Sequence, residues 1–194
     1  MLGPPPENFS SLKLDTVSIK PEDCVRVTRS PATEPYFGKT GGNRFDDPLR
    51  AFGVCYAGDH LTVAFAETIL HDALPASGGF TVAESKLADR HVTNFHGSPL
   101  VLVDLTGASL KRLGGTNEIS SEHPYATTQQ WARAVYEHPQ KVDGIYYVSR
   151  HMNTRFAYAL FDGSMTKISA GVPATLMAHR DYADVLKVFN VQVL

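Results

Sequence analysis

The sequence predicts an α+β fold built on a mixed β-sheet with flanking helices, and three observations support that prediction. Segments with the alternating or continuously apolar pattern of strands outnumber the helical segments along the chain. Strands and helices do not follow each other in the regular βαβ order of a parallel sheet. With 194 residues, of which 43% are hydrophobic, the chain has enough apolar material for the core of one domain.

The chain begins with a proline- and serine-rich segment, residues 1–21, which we expect to be an arm that is poorly ordered or wraps the domain. The remaining residues, 22–194, are predicted to form a single domain. A helix is expected over 61–70, with Asp59 as its N-cap. The first strands are expected at 24–29, 52–57, 91–95 and 100–105. Because the segment 100–105 is almost entirely apolar, it is predicted to be a central strand.

Two further helices and three strands are predicted in the last third of the chain. Pro124 suits the first turn of a helix over 124–137, which would bury Trp131. A short helix is expected at 182–188. The strands are expected at 144–149, 157–161 and 191–194. The last of them is predicted to lie at an edge of a sheet.

The composition excludes several classes of protein. The formal net charge is only −2, so the chain lacks the net positive charge that would attract nucleic acid or an anionic membrane. A ligand that carries phosphates must therefore be held by a few placed arginines. The two cysteines, Cys24 and Cys55, lie in apolar runs and are predicted to be buried in the core without a disulfide. The start of the chain lacks the pattern of a signal peptide, and we expect a cytoplasmic protein.

Familiar catalytic motifs are absent from the sequence. No two of the eight histidines have the helical spacing of a zincin, and no metal site is predicted. The sequence contains no Gly-x-Ser-x-Gly elbow, no Walker A loop and no strand–GxGxxG–helix unit. Hydrolases of the common serine type, P-loop enzymes and Rossmann enzymes are therefore disfavoured.

Four polar side chains remain as candidates, each with an ordinary alternative. Glu67 lies in an apolar helical segment, although most helical glutamates are simply solvated. Arg44 follows Gly41, Gly42 and Asn43 at the end of a long loop, where it could grip a phosphate or merely be exposed. Tyr56 could stack on a ligand ring or belong to the core. Ser149 follows an apolar strand and could be catalytic or simply terminate that strand.

The order of these residues resembles the RES-domain family, which is named for an Arg, a Glu and a Ser that match Arg44, Glu67 and Ser149. The resemblance covers most of the chain from about Val25 onwards. It rests on Gly-Asn-Arg-Phe at 42–45, Phe-Gly-Val-Cys-Tyr-Ala at 52–57, Ala-Phe-Ala-Glu at 64–67 and Val-Asp-Gly-Ile-Tyr-Tyr-Val-Ser-Arg at 142–150. The chain departs from the family pattern around Arg44, where Asn43 interrupts the glycine pair, Phe45 replaces a Trp and the following loop is longer.

The resemblance implies a split mixed sheet similar to the ADP-ribosyltransferase fold of the diphtheria-toxin type, with a cleft that binds NAD+. It also implies a bacterial toxin that breaks the nicotinamide–ribose bond by phosphorolysis, with inorganic phosphate as co-substrate, or by hydrolysis. NAD+ would be the substrate, with no resident cofactor, and an Xre-type antitoxin would be the partner. There are two alternatives: an enzyme that transfers ADP-ribose to a macromolecule, and a binding module without catalytic activity. The chain could also form a homo-oligomer.

Within that resemblance each candidate has an expected role. The carboxylate of Glu67 would stabilise positive charge on the ribose, and Ser149 would bond a ribose hydroxyl or the incoming oxyanion. Tyr56 would pack against nicotinamide. Arg44 would hold the pyrophosphate of NAD+ or an acceptor phosphate, with Arg26 as a second donor.

Overall fold

The computed structural model describes residues 1–194 and contains eleven strands and five α-helices. The strands are β1 (Thr16–Ile19), β2 (Val25–Thr28), β3 (Val54–Gly58), β4 (Phe80–Val82), β5 (His91–Gly97), β6 (Leu100–Asp104), β7 (Gly144–Val148), β8 (Phe156–Phe161), β9 (Ile168–Ala170), β10 (Ala174–Thr175) and β11 (Val191–Val193). The helices are α1 (Leu61–Thr68), α2 (Ser85–Ala88), α3 (Gly107–Arg112), α4 (Ala126–Glu137) and α5 (Tyr182–Val188). None of the five helices has the length and apolar character needed to cross a membrane.

Nine of the strands form one mixed sheet. Its order is β1-β6-β7-β8-β3-β2-β5-β10, with β9 also paired to β5. Only β6 and β7 run parallel within it, and every other pairing is antiparallel. The strands β4 and β11 form a separate parallel pair. The predicted α+β class with a mixed sheet and flanking helices is therefore confirmed.

The large sheet divides between β2 and β3. These two strands pair only at Val25 and Gly58, whereas β3 pairs with β8 along its whole length, Val54–Gly58. On its other side, β2 pairs with β5 along all of Val25–Thr28. The two halves of the sheet therefore diverge beyond a single residue pair, and a gap opens between β2 and β3.

The two halves of the sheet are covered by different helices. A cluster of 20 buried hydrophobic residues lies on the side of α4 and includes Trp131, which is predicted to be buried and is fully so. A second cluster of 11 residues on the opposite face contains Cys24 and Cys55, which are buried and unpaired as predicted. A third cluster joins α1 and α5 to β2 and β5.

The first 21 residues pack against the face that α4 covers. Leu2, Phe9 and Leu14 are buried there, and the indole N–H of Trp131 donates to the carbonyl of Gly3 at 2.9 Å. Strand β1 pairs antiparallel with β6, so this segment also supplies an edge of the sheet.

Two local predictions are wrong. Strand β6 is not central, because it lies next to the edge strand β1 in the nine-stranded sheet, and Val101 on β6 remains 39% exposed. The N-cap of α1 is His60, whose ring Nδ1 accepts from the backbone N–H of Thr62 at 3.2 Å. Asp59 cannot serve as the cap because its Oδ2 instead accepts from the backbone N–H of Phe156 at 3.1 Å.

Candidate active site

A cavity of about 160 Å³ opens where β2 and β3 diverge, and α1 forms one of its walls. Four of the five residues singled out in the sequence line it, namely Arg26, Arg44, Tyr56 and Glu67. The fifth, Ser149, is buried directly behind Glu67. The gap in the sheet therefore brings together residues that are up to 123 positions apart in the sequence, from Arg26 to Ser149.

The carboxylate of Glu67 reaches the cavity because α1 lies very close to β3. A Cβ added at Gly58 would lie 2.8 Å from the side chain of Val63 and 3.0 Å from the backbone nitrogen of Ala64, so only glycine permits this approach. The helix buries every residue from Leu61 to Ala66. Glu67 follows directly and keeps 24% of its side chain exposed toward the cavity.

One oxygen of Glu67 is held by Ser149. The hydroxyl of Ser149 donates to Oε1 at 2.6 Å, and its own oxygen accepts from the backbone N–H of His151 at 3.3 Å. Ser149 is completely buried at the end of β7. The hydrogen bond fixes the orientation of the carboxylate and leaves Oε2 directed away from the serine.

Two histidines that the sequence patterns do not single out face the free oxygen of Glu67. Its Oε2 lies 4.0 Å from Nδ1 of His71 and 3.9 Å from Nε2 of His151. Burial lowers the pKa of His151, and the nearby carboxylate of Glu67 opposes that effect. No pair of histidines indicates this group in the sequence, but the four-residue spacing of Glu67 and His71 does indicate that these two side chains can meet.

Arg44 is 8% exposed and lies in a polar corner of the cavity. Its Nη1 donates to the carbonyl of Glu122 at 2.9 Å, and its guanidinium carbon lies 4.8 Å from the ring centroid of Tyr125. Burial lowers its pKa, and the nearby Tyr125 and Tyr147 act in the opposite direction. Only one of its five N–H donors has a protein acceptor, so the others are available to an anion.

Helix α4 fixes the backbone around Arg44. The hydroxyl of Thr128 donates to the carbonyl of Arg44 at 2.7 Å. The amide of Gln129 donates to the carbonyls of Gly41 and Asn43, each at 3.0 Å. The polar start of this helix therefore holds the long loop against the sheet.

Tyr56 anchors the same loop from the side of the sheet. Its hydroxyl donates to Oδ1 of Asp46 at 2.9 Å and accepts from the backbone N–H of Phe45 at 3.0 Å. Burial raises the pKa of Tyr56 well above its usual value, so the hydroxyl remains protonated. The ring lines the cavity, but the hydroxyl is hydrogen-bonded to the loop that carries Arg44.

Asp46, which the sequence patterns leave out of the candidates, is the centre of that anchor. It is 1% exposed, and its Oδ2 accepts from the hydroxyl of Thr40 and from both nitrogens of Asn43 at 2.7–3.1 Å. With the bond from Tyr56, the carboxylate receives four hydrogen bonds and no cation. These neutral donors compensate for the burial of its charge.

Arg26 bridges the gap in the sheet. From β2, its Nη1 donates to the carbonyl of Tyr56 on β3 at 2.6 Å, and its Nε donates to Oε1 of Glu34 at 2.7 Å. Its side chain is 20% exposed at the mouth of the cavity. Arg26 is thus held in place by protein acceptors on two of its nitrogens.

A groove of about 400 Å³ continues from the cavity along β2. Arg26, Val27 and Thr68 line both spaces, and Arg29 and Arg90 line only the groove. The Nε of Arg90 is buried and has no hydrogen bond, but it lies 3.5 Å from Oδ1 of Asp89, and burial lowers the pKa of this arginine. The groove is therefore a polar extension of the cavity that contains three guanidinium groups.

Together these side chains provide a carboxylate, a hydroxyl and two imidazoles at one wall of a small cavity, with guanidinium groups around it. Such an arrangement can stabilise positive charge at the carboxylate and bind anions at the arginines.

Comparisons with known proteins agree with this architecture. A family model described as the RES domain matches residues 23–182. A protein of Sinorhizobium fredii (strain NBRC 101917 / NGR234), named "Probable toxin y4kH", is 27% identical over 124 residues, which are 63% of this chain and 97% of that protein. The fold is similar to a chain in the crystal structure of the M. tuberculosis MbcT–MbcA toxin–antitoxin complex. That similarity has a TM-score of 0.61 at 14% identity and covers 82% of this chain and 85% of the other.

Proposed function

The chain belongs to the RES domain family, and from that premise we propose that it is an NAD+-degrading toxin of a toxin–antitoxin pair. In this proposal it cleaves the nicotinamide–ribose bond of NAD+. The ADP-ribosyl group passes to inorganic phosphate, which gives ADP-ribose-1''-phosphate, or to water, which gives ADP-ribose. The toxin part of the proposal is supported by the S. fredii relative, which is named a probable toxin, and by the similar fold in a toxin–antitoxin complex.

The observation that carries the proposal is the hydrogen bond between Ser149 and Glu67 at the wall of the cavity. The two residues are 82 positions apart in the sequence and lie 2.6 Å apart in the structure. Arg44 lines the same cavity. By resemblance these residues match the Arg, Glu and Ser for which the RES family is named, and their arrangement around one cavity supports the proposal.

The chemistry of the bond explains why a carboxylate is needed. When the bond from ribose C1 to the pyridine nitrogen breaks, both electrons go to that nitrogen and nicotinamide leaves as a neutral molecule. The ribose then carries positive charge, as in glycoside cleavage. The negative charge of Glu67, oriented by Ser149, stabilises that charge in the transition state. An oxygen of phosphate or water forms the new bond to C1, and the proton of the attacking molecule is released.

The size of the cavity supports a specific placement of the substrate. A volume of about 160 Å³ is too small for a whole dinucleotide, because sites for drug-sized ligands measure about 300–1,000 Å³. We place the nicotinamide and its ribose in the cavity, and the remainder of NAD+ in the groove along β2. Arg26 and the groove arginines Arg29 and Arg90 then face the pyrophosphate and adenosine. Arg44 lines the cavity but not the groove, which makes it the better donor for an acceptor phosphate.

The test is nicotinamide release from NAD+ by the purified protein, with and without phosphate, followed by chromatography. Phosphorolysis predicts a phosphorylated ADP-ribose that appears only with phosphate, and hydrolysis predicts ADP-ribose under both conditions. Glu67→Gln should abolish release, while Glu84→Gln, an exposed glutamate outside the cavity, should not. No release under either condition would contradict the proposal. Label from NAD+ that remains on a macromolecule would favour transfer to such a target instead.

A cognate antitoxin is part of the same proposal. The similar fold was found in a toxin that is bound to its antitoxin, in the MbcT–MbcA complex. We propose a partner of the Xre type, encoded next to this chain. Co-expression with the neighbouring reading frame should prevent NAD+ loss and yield a stable complex on size-exclusion chromatography.

A further inference from the structure

The two histidines beside Glu67 point to a second use of that carboxylate. We propose that Glu67, His71 and His151 bind a divalent transition-metal ion, and that the bound ion switches the site off. One ligand atom of each residue lies within 4.8 Å of the others. The proposed cleavage of NAD+ uses Glu67 but does not require the metal ion.

The spacing of the three groups fits a metal after a small adjustment. Two ligand atoms at about 2.1 Å from a tetrahedral ion lie about 3.4 Å apart. The Oε2 of Glu67 is 4.0 Å from Nδ1 of His71 and 3.9 Å from Nε2 of His151, so these two pairs must each close by roughly half an ångström. The ligand atoms of the two histidines lie within 4.8 Å of each other, so that pair must close by up to about 1.4 Å. Side-chain rotations of this size leave the backbone in place. Glu67 lies in the last turn of α1, and His71 lies in the turn that follows the helix, where its ring faces the same carboxylate.

Two of the three ligand atoms have no hydrogen-bond partner, and Arg150 donates to the third. Ser149 occupies Oε1 of Glu67, which leaves Oε2 facing the histidines. The Nδ1 of His71 is buried and has no hydrogen-bond partner. A buried ring nitrogen without a partner is uncommon, and this one faces Oε2 of Glu67 at 4.0 Å. The Nε2 of His151 accepts a single hydrogen bond, from Nε of Arg150 at 3.1 Å.

The donor set selects the class of ion. Two imidazole nitrogens and one carboxylate oxygen suit Zn²⁺, Co²⁺ or Ni²⁺, whereas Mg²⁺ and Ca²⁺ prefer sites made only of oxygen. Arg150 opposes the ion in two ways, because its positive charge repels the metal and its N–H occupies Nε2 of His151. Binding should therefore be reversible and weaker than in a structural zinc site with four protein ligands.

The effect on activity rests on the proposed function. An ion on Oε2 neutralises the carboxylate and places positive charge next to the ribose, where the transition state is itself positive. Metal binding and NAD+ cleavage should therefore exclude each other. An excess of chelator should restore the activity of the metal-loaded protein.

The binding test uses Co²⁺ as a spectroscopic probe on tag-free protein without NAD+. Ligation by two imidazoles and a carboxylate should give visible absorption bands that saturate at one ion per chain. His71→Ala, His151→Ala and Glu67→Gln should each weaken binding by more than about tenfold, which is the least that even outer-shell partners contribute at such sites. His96→Ala is the matched control, because His96 is 58% exposed on β5 and outside the cluster. Arg150→Gln should bind Co²⁺ more tightly, an effect that a purely structural role of the histidines does not predict.

The outcomes separate this inference from the proposed function. Absence of the Co²⁺ bands, or equal binding by the His71→Ala and His151→Ala variants and the natural chain, would overturn the metal site even if the protein cleaves NAD+. Saturable Co²⁺ binding that depends on the three residues would support the site even if the metal-free protein leaves NAD+ intact.

Discussion

The hydroxyl of Ser149 and the carboxylate of Glu67 form the shortest hydrogen bond between two side chains of the candidate site, with Oγ donating to Oε1 at 2.6 Å. Ser149 itself is completely buried, so in the proposed function it acts on substrate only through the residue that it orients. In this structure the serine is therefore a positioning residue for the glutamate. It also determines which carboxylate oxygen faces the cavity and the two histidines.

Ser149→Ala should reduce activity strongly and stability little. Loss of the hydroxyl frees Glu67 to rotate and removes a donor to its charge, and we expect kcat for NAD+ cleavage to fall by about 10²-fold. Alanine fills nearly the same volume, so the melting temperature should change by only a few degrees. Ser164→Ala is the control, since Ser164 is also buried and donates only to the carbonyl of Phe161 at 2.7 Å. Equal losses of kcat in both variants would contradict the role of Ser149.

Tyr56→Phe should loosen the loop that carries Arg44. The change removes the partner of Oδ1 of Asp46 and of the backbone N–H of Phe45. Groups left unpaired in this way cost about 1–3 kcal/mol of unfolding free energy. Urea unfolding measures the loss, and Tyr158→Phe is the control, because this tyrosine is 4% exposed and lies in the opposite core cluster. If both variants lose the same stability, the anchor between Tyr56 and Asp46 is not what holds the loop.

The groove along β2 should bind the part of NAD+ that the cavity cannot hold. Arg90→Ala should raise KM for NAD+ by about tenfold with little change in kcat, because this arginine lies away from the breaking bond. Arg180→Ala serves as the control, since Arg180 is 90% exposed and lines neither space. A lower kcat with an unchanged KM would place Arg90 near the reaction instead.

The residues of the candidate site divide into those that sequence patterns reveal and those that only the fold brings together. Glu67, Arg44 and Ser149 stand next to apolar or glycine-rich segments, and this local contrast makes them visible in the sequence. His151 belongs to the site only because β7 ends beside α1, and no local pattern indicates that neighbour. Arg90 is equally hidden, because its groove forms where β5 passes β2.

The edge of the large sheet is a second feature that local sequence patterns do not reveal. The four residues of strand β1 alternate between exposed and more buried positions, but the strand is short and lies in a segment whose prolines and isolated charges indicate an arm. Its pairing with β6 is what makes it a strand. An apolar run such as β6 reports burial of its side chains but not its place in the strand order, because strands next to an edge can also be covered on both faces.

Asp59→Asn should stabilise the protein relative to the natural chain, and more so at neutral pH than at acidic pH. Burial raises the pKa of Asp59 above 3.8, and one of its oxygens, Oδ1, is buried without a partner. The folded state therefore binds the proton more tightly than the unfolded state. Above the raised pKa both states are ionised, and the folded state bears the full cost of the buried charge. Below 3.8 both are protonated and that cost disappears.

The neutral amide of the Asp59→Asn variant lacks this charge at every pH, and its oxygen can still accept from the backbone N–H of Phe156. The melting temperature of the variant should thus exceed that of the natural chain at about pH 7, and the difference should shrink as the pH falls toward about 4. Asp72→Asn provides the comparison, because the side chain of Asp72 is 93% exposed and its carboxylate keeps its water. A difference that is constant with pH, or that grows as the solution is acidified, would show that the carboxylate of Asp59 is not penalised by burial.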